Sequence, residues 1–196
     1  MIERNQFAAI VTAAGESSRM GTQKALVKFN GLPLIDHQIA CLKGFGQLIV
    51  VTGHEGKTLH EHVGRSLCVY NTNYREGRSS SIEVGAQALR DDLQGVLIVG
   101  VDQPLVPEII SEMLLAFDAD TELAAVPVVD GRRGHPVLIS ATLFDDLKRC
   151  SEVEEGLRGL LLRSQDALRE VPIMDERILV DLNSPEELQA AERGWA

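Results

Sequence analysis

The chain reads as an α/β protein in which a mostly parallel sheet is covered by helices on both faces. Three features predict this. Short apolar runs alternate with segments of helical period along the chain. The runs are apolar without interruption, which is the pattern of strands covered on both sides. Helix start and stop residues fall in the intervals between them.

The elements follow in order. "FAAIV" (7–11) is the first predicted strand, and "PLIDHQIACLKG" is a helix with Pro33 in its first turn and Gly44 at its stop. "LIVV" (48–51) and "LCVY" (67–70) are strands. "SIEVGAQALRDDL" carries Ile82, Gly85, Ala86, Leu89 and Leu93 on one helical stripe. "VLIVGV" (96–101) is a strand, and "PEIISEMLLAF" is a helix with Ile109, Ile110, Met113, Leu114 and Phe117 on its apolar face. "LAAVPVV" (123–129), "PVLI" (136–139) and "RILV" (177–180) complete the predicted strands. In "SPEELQAAER", Ser184 is the N-cap, Pro185 the first helical residue and Glu187 the partner in a capping box. With no repeat, low-complexity tract or linker, residues 1–196 read as one domain.

Composition excludes several classes of function. Hydrophobic residues make up 44% and charged residues 24%, as in ordinary globular proteins. The formal charge of −10 argues against nucleic acid or an anionic membrane as partner, since both need clustered Lys and Arg. Any anionic ligand must be held by a few local cations. No run reaches the about 20 apolar residues of a membrane span. Cys41, Cys68 and Cys150 are odd in number and widely spaced, which predicts reduced thiols. The start "MIERNQ" is charged and lacks a signal-peptide core. A cytoplasmic protein is expected, and a monomer, although nothing in the sequence addresses oligomeric state.

"TAAGESSRMGTQKAL" (12–26) follows the first strand. Small residues let backbone amides approach a ligand, and Arg19 and Lys24, read as exposed cations, add positive charge. This is the chemistry of a phosphate cradle. It has neither the Walker A nor the dinucleotide spacing. A plain surface loop is the alternative. Ligands of parallel sheets bind beyond the carboxyl ends of the strands, so this loop and the one after "VLIVGV" should face one site.

Ala13-Ala14-Gly15, Ser17, Arg19-Met20-Gly21 and Lys24 resemble the signature of the molybdenum-cofactor type of nucleotidyltransferase, the MobA-like NTP transferases. "VTGHEG", "YNTNYREGRSSSIEVGAQAL", "VDQPLVP", "GHPVLIS" and "DLNSPEEL" resemble segments of the cytidylyltransferase branch, in the same order. The resemblance implies a three-layer Rossmann-like nucleotidyltransferase fold, GT-A-like. It implies that CMP passes from CTP to the phosphate of the molybdopterin cofactor, with release of pyrophosphate. A molybdoenzyme that accepts the product is a possible partner.

The resemblance also implies site residues. Ala13, Ala14, Gly15, Ser17, Ser18 and Gly21 would hold the nucleotide, with Arg19 and Lys24 catalytic. Asp102, at the end of "VLIVGV", would be catalytic and bind Mg²⁺, although an Asp there can equally cap a turn or helix. Val101 stands where the family has Gly or Cys, and its side chain is expected to tuck into the sheet. Asp181 is a second metal candidate, and Asn183 replaces the second carboxylate of the family's Asp-Ile-Asp, which puts a second metal in doubt. Capping of the last helix is the alternative for both. Arg78, Ser80 and Ser81 resemble the Arg-x-x-Ser of cytidylyltransferases acting on methylerythritol phosphate, and would bind the base. One of the serines is expected to cap the helix. Gln103 and Pro104 would shape the other wall. His135, with Arg132 and Arg133, and Arg158 would hold the terminal phosphate of the pterin. His60-Glu61-His62 reads as a solvated face, because the two imidazoles diverge on a helix. Guanylyl transfer, transfer to a sugar or polyol phosphate, and a non-catalytic cofactor carrier remain alternatives.

Overall fold

A computed structural model describes residues 3–16, 23–54, 56–64 and 66–195. The strands are β1 (Phe7–Ala13), β2 (Lys28–Phe29), β3 (Leu32–Pro33), β4 (Gln47–Thr52), β5 (Leu67–Tyr70), β6 (Gly95–Gly100), β7 (Ala124–Val129), β8 (Arg132–Arg133), β9 (Val137–Ser140) and β10 (Leu168–Pro172). The α-helices are α1 (Leu34–Cys41), α2 (His60–Val63), α3 (Arg78–Ala86), α4 (Pro107–Ala116), α5 (Phe144–Leu147), α6 (Leu157–Arg163) and α7 (Pro185–Gly194). The main sheet has the order β10-β7-β9-β6-β1-β4-β5, with β8 paired to β7, and β2 and β3 form a separate hairpin. β1 is parallel to both β4 and β6, β10 is parallel to β7, and β9 runs antiparallel between β6 and β7.

Alternate residues of β1 divide the interior into two layers. Ala9 and Val11 face a cluster with Leu34 and Ile35 of α1, Ile110 and Met113 of α4 and Ala191 of α7. Ala8 and Ile10 face a second cluster with Ile82 and Ala86 of α3, Phe144 of α5 and Leu160 of α6. Helices therefore cover both faces. Gly85 marks the closest approach of α3 to the sheet: a methyl group there would lie 2.9 Å from Ile10 Cγ2 and 3.0 Å from Val51 Cγ2.

The structure departs from several of the expected elements. "RILV" is not a strand but lies in a 3₁₀ turn, Glu176–Leu179, entered at Asp175, whose side chain accepts the Arg177 N–H. Ile178 is buried there, and its carbonyl accepts the His135 N–H at 2.9 Å. The edge beside β7 belongs instead to "LREVP". That strand was hidden because an edge strand needs little apolar surface and tolerates a terminal proline. The helix expected to reach Leu93 ends at Ala86, where the chain turns away and the Arg90 N–H bonds Gln47 Oε1. Leu89 and Leu93 are buried regardless. At α7, Ser184 Oγ accepts the Glu187 N–H, but the Glu187 carboxylate takes the N–H of Asn183, one residue before the cap.

A buried amide ties α1 to the end of β6. Gln38, with no exposed surface, donates to the carbonyls of Gly100 (2.9 Å) and Gln103 (2.8 Å) and accepts the Leu105 N–H at 3.0 Å. Gln38→Leu keeps the volume but strands the Gln103 carbonyl and the Leu105 N–H, while the Gly100 carbonyl keeps the Gln103 N–H. It is expected to cost about 2–4 kcal/mol of stability in urea unfolding. An unchanged midpoint would show that these bonds contribute nothing net.

Candidate active site

A cavity of about 430 Å³ opens at the carboxyl ends of β1 and β6. Thr12–Gly15 and Gln23–Ala25 form one wall, Tyr74, Gly77, Arg78 and Ser81 a second, and Gly100–Gln103 with Asp181 and Asn183 a third. The loops after "FAAIV" and "VLIVGV" therefore face the same space. Ser17, Ser18, Arg19 and Gly21 lie outside the described residues.

At the centre, Lys24 Nζ donates to Asp102 Oδ2 and to Asn183 Oδ1, both at 2.9 Å. Only 14% of the Lys24 side chain and 29% of the Asp102 side chain are exposed. Lys24 is thus not the exposed cation the loop suggested: the ion pair draws it under the rim of the cavity. Asp102 is held by its backbone. The Val101 N–H bonds the Thr12 carbonyl at 3.0 Å, and the Asp102 carbonyl accepts the Leu182 N–H at 2.8 Å. Val101 tucks into the core as expected. Asp102 does not cap α4, whose N-cap position is Val106 and carries no side-chain cap. Likewise Ser184, rather than Asp181 or Asn183, supplies the side-chain cap of α7. Glycine at position 100 leaves the Asp102 carboxylate its place, since a β-carbon there would collide with Asp102 Oδ1 and push the side chain aside.

Gln103 Nε2 donates to Asp181 Oδ1 at 2.8 Å, and its Oε1 accepts from Arg78 and from the Gly100 N–H, each at 3.0 Å. Arg78 keeps solvent access through the cavity mouth, yet protein surrounds most of it. That burial lowers its pKa, against the opposing charges of Asp102 and Asp181. The oxygens of Asp102, Asp181 and Asn183 are hard donors on one wall, a chemistry that suits a divalent cation bound together with phosphate oxygens. Among the described residues, no three His, Cys, Asp or Glu side chains group as metal ligands.

The opposite side is packed by small residues. Ala14 is buried, and its carbonyl accepts the His54 N–H at 3.2 Å. A β-carbon on Gly53 would come within 2.9 Å of the Ala14 methyl and 2.7 Å of Tyr74 Cβ. None of the serines of "RSSS" caps α3; the N-cap is Gly77, at φ +103°. The buried Asn71 amide donates to Ser80 Oγ (2.9 Å) and Ser81 Oγ (3.0 Å). Ser80 in turn bonds the carbonyls of Gly77 and Asn73, so its hydroxyl fastens the 71–77 loop, and only Ser81 reaches the cavity.

Other expected residues lie elsewhere. Pro104 is buried outside the cavity lining, because the chain has turned inward to meet Gln38. Arg158 is 77% exposed on α6 beside Glu155 at 3.6 Å. Arg132 and Arg133 form the exposed strand β8, where Arg133 pairs with Glu170. His135 is buried behind the site, and its Nε2 has no hydrogen-bond partner. Burial lowers its pKa to about 4, against the nearby Asp181 charge. His60 is exposed as expected, while His62 pairs with Asp36 at 3.0 Å. All three cysteines are free. Gln38, Asn71 and Tyr74 do not stand out in the sequence, because an amide or phenol in an ordinary helix or loop carries no spacing signal.

Comparison with known proteins gives the family of the chain. Residues 9–170 match the family model of the MobA-like NTP transferase domain. The chain belongs to that family. It is therefore a nucleotidyltransferase. Molybdenum cofactor cytidylyltransferase of Escherichia coli is 26% identical over 190 residues, covering 95% of each chain. A probable molybdenum cofactor guanylyltransferase of Thermococcus sibiricus is also 26% identical, covering 92% of this chain and 94% of its own. In structure, Rv0371c of Mycobacterium tuberculosis superposes with a TM-score of 0.82 at 22% identity, covering 96% and 98% of the two chains. The same protein in complex with manganese gives 0.79 at 21% identity, with the same coverage. These neighbours share the Rossmann-like nucleotidyltransferase fold. No helix among the described residues is long and apolar enough to cross a membrane.

Two outcomes are expected of the site as built. Gly100→Ala should displace Asp102 and cut turnover, with the far-UV spectrum unchanged; full activity would mean that the Asp102 placement is dispensable. For His135, the folded pKa of about 4 lies below the ordinary 6.5. The unfolded chain therefore binds the extra proton first, and stability is complete above 6.5 and falls as pH drops towards 4. About 2 kcal/mol should be lost between pH 7 and pH 5. Urea unfolding of His135→Asn should lack this component; an equal pH dependence in both proteins would contradict it.

Proposed function

We propose that this nucleotidyltransferase moves CMP from CTP to the phosphate of the molybdenum cofactor and releases pyrophosphate. The observation that carries the reading is Lys24 held between Asp102 and Asn183 at the mouth of a small-residue loop in a MobA-like chain. The full-length similarity to a cytidylyltransferase supports the acceptor and the nucleotide. So does the Ala13-Ala14-Gly15 start of the loop, in which an alanine at position 14 would leave less room beside the base than a glycine. A guanylyltransferase of equal identity makes GTP the competing donor.

The acceptor phosphate has a second pKa of about 6 and is already largely dianionic at neutral pH. No general base is needed, and alignment and charge carry the reaction. Asp102 and Asp181 would hold a divalent cation, with Asn183 as a neutral third oxygen. When bound, that cation supplies charge neutralisation across the phosphates. The manganese-bound neighbour supports a divalent requirement, with Mg²⁺ the expected physiological ion. Lys24 would turn from Asp102 and Asn183 to the phosphates and stabilise the departing pyrophosphate. Arg19 is assigned the same work on sequence alone. Arg78 is the cation available on the facing wall. His135 and Arg158 line no part of this cavity, so the pterin phosphate would be met by other groups, and Ser80 and Pro104 do not line it either, which leaves Ser81 and Gln103 to meet the base.

Purified cofactor with CTP or GTP, followed by pyrophosphate release, is the direct test. Preferred turnover with CTP is expected in equal competition. A GTP preference would move the chain to guanylyl transfer, and binding without release would make it a carrier. Ala14→Gly should weaken the CTP preference without reversing it, since one methyl is worth about 1–3 kcal/mol of discrimination.

Asp102→Asn should abolish turnover and leave the fold intact, whereas wild-type rate at limiting magnesium would reduce Asp102 to a structural group. Lys24→Ala should cost about 2–4 kcal/mol in transition-state stabilisation. Unchanged kcat/KM would refute the phosphate role.

A further inference from the structure

Gln103 lines the cavity with an amide engaged by protein at both its oxygen and its nitrogen. Its oxygen faces two donors, the Gly100 N–H and the Arg78 guanidinium, and its nitrogen faces an acceptor, the Asp181 carboxylate. The orientation is dictated by chemistry: a flipped amide would set its N–H groups against Arg78 and Gly100 and its oxygen against Asp181. Gln103 is only 8% exposed, and its carbonyl is fixed from below by Gln38. Among the described residues, neither Arg78 nor Asp181 makes another side-chain hydrogen bond.

From this we infer that Gln103 is a positioning residue, which aims Asp181 at the cation and Arg78 at the anionic substrate. The inference rests on the reading of Asp181 as a cation ligand. An amide suits this post better than a charged group. It satisfies a cation and a carboxylate at once and adds no charge of its own. A glutamate at 103 would repel Asp181, and a lysine would repel Arg78. Groups of this kind, one step removed from a metal, typically alter metal affinity about 10-fold to 100-fold when removed.

The test uses Mn²⁺ with inorganic triphosphate, so that it does not depend on which base or acceptor the enzyme prefers. Free Mn²⁺ is read by electron paramagnetic resonance, and folding by thermal melting. Gln103→Met is expected to weaken Mn²⁺ binding about 10-fold or more. Asp181→Asn should do the same in the wild type but cost less than about 3-fold once Gln103 is already replaced. Lys24→Met, which removes a cation held by Asp102 and Asn183 instead, should cost the same in both backgrounds. If Gln103→Met does not fold, the cycle is run with Gln103→Glu, which keeps acceptors for Gly100 and Arg78 and turns the donation to Asp181 into a repulsion that Asp181→Asn relieves. A purely structural glutamine would lower the melting temperature and leave the cost of Asp181→Asn unchanged, which overturns the proposal. If Asp181→Asn has no effect even in the wild type, the metal reading of Asp181 fails first, and the role of Gln103 fails with it.

Discussion

The site depends on the parallel register of β1 with β6, which sets Thr12 opposite Gly100. Both strands end at the same level, and the chain leaves each in the same direction. One further ladder bond, from the Val101 N–H to the Thr12 carbonyl, carries the pairing past the end of β6 and delivers Asp102 beside the loop that follows β1. β4 lies on the other side of β1, so successive connections diverge from it, and the cavity forms where they part. The core below is apolar on both faces, so the register cannot slip by one residue without turning buried side chains outwards.

Charge is then distributed locally against the character of the whole. The chain carries −10, yet Lys24 and Arg78 stand in the cavity against Asp102 and Asp181. The described wall is therefore close to neutral by itself. A divalent cation on the carboxylates would make it positive, as a triphosphate requires, while the acidic exterior still discourages nonspecific polyanions. The low exposure of Lys24 and Asp102 strengthens their interaction relative to a surface pair.

Uncharged amides hold this balance in place. Gln38 fixes the backbone from Gly100 to Leu105, Gln103 joins Arg78 to Asp181, and Asn71 ties the 71–77 loop to α3 through Ser80 and Ser81. Each satisfies donors and acceptors in a poorly solvated place without adding a charge that would need its own partner. The exception is His135. Its buried Nε2 is unpartnered, and burial keeps the ring neutral at ordinary pH.

The sequence alone determined the class of the fold and the two loops of the site. Uninterrupted apolar runs report burial on both faces, and a loop rich in small residues after the first of them reports a close backbone approach. The family motifs named Lys24, Asp102, Asp181 and Asn183, and the structure brings these four to one cavity. It could not distinguish "RILV" from a strand, because a buried turn and a buried strand share the same apolar composition. It could not find β10, because edge pairing is made by the backbone and leaves little trace in side chains. The serines after Arg78, Pro104, His135 and Arg158 looked equivalent to site residues by motif. Only tertiary packing decided which of them faces the cavity, since that depends on where α3 begins and how the chain turns at Gln103. The same holds for Gln38 and Gln103. An amide becomes an organiser through the partners that surround it, and those come from elements far apart in the chain.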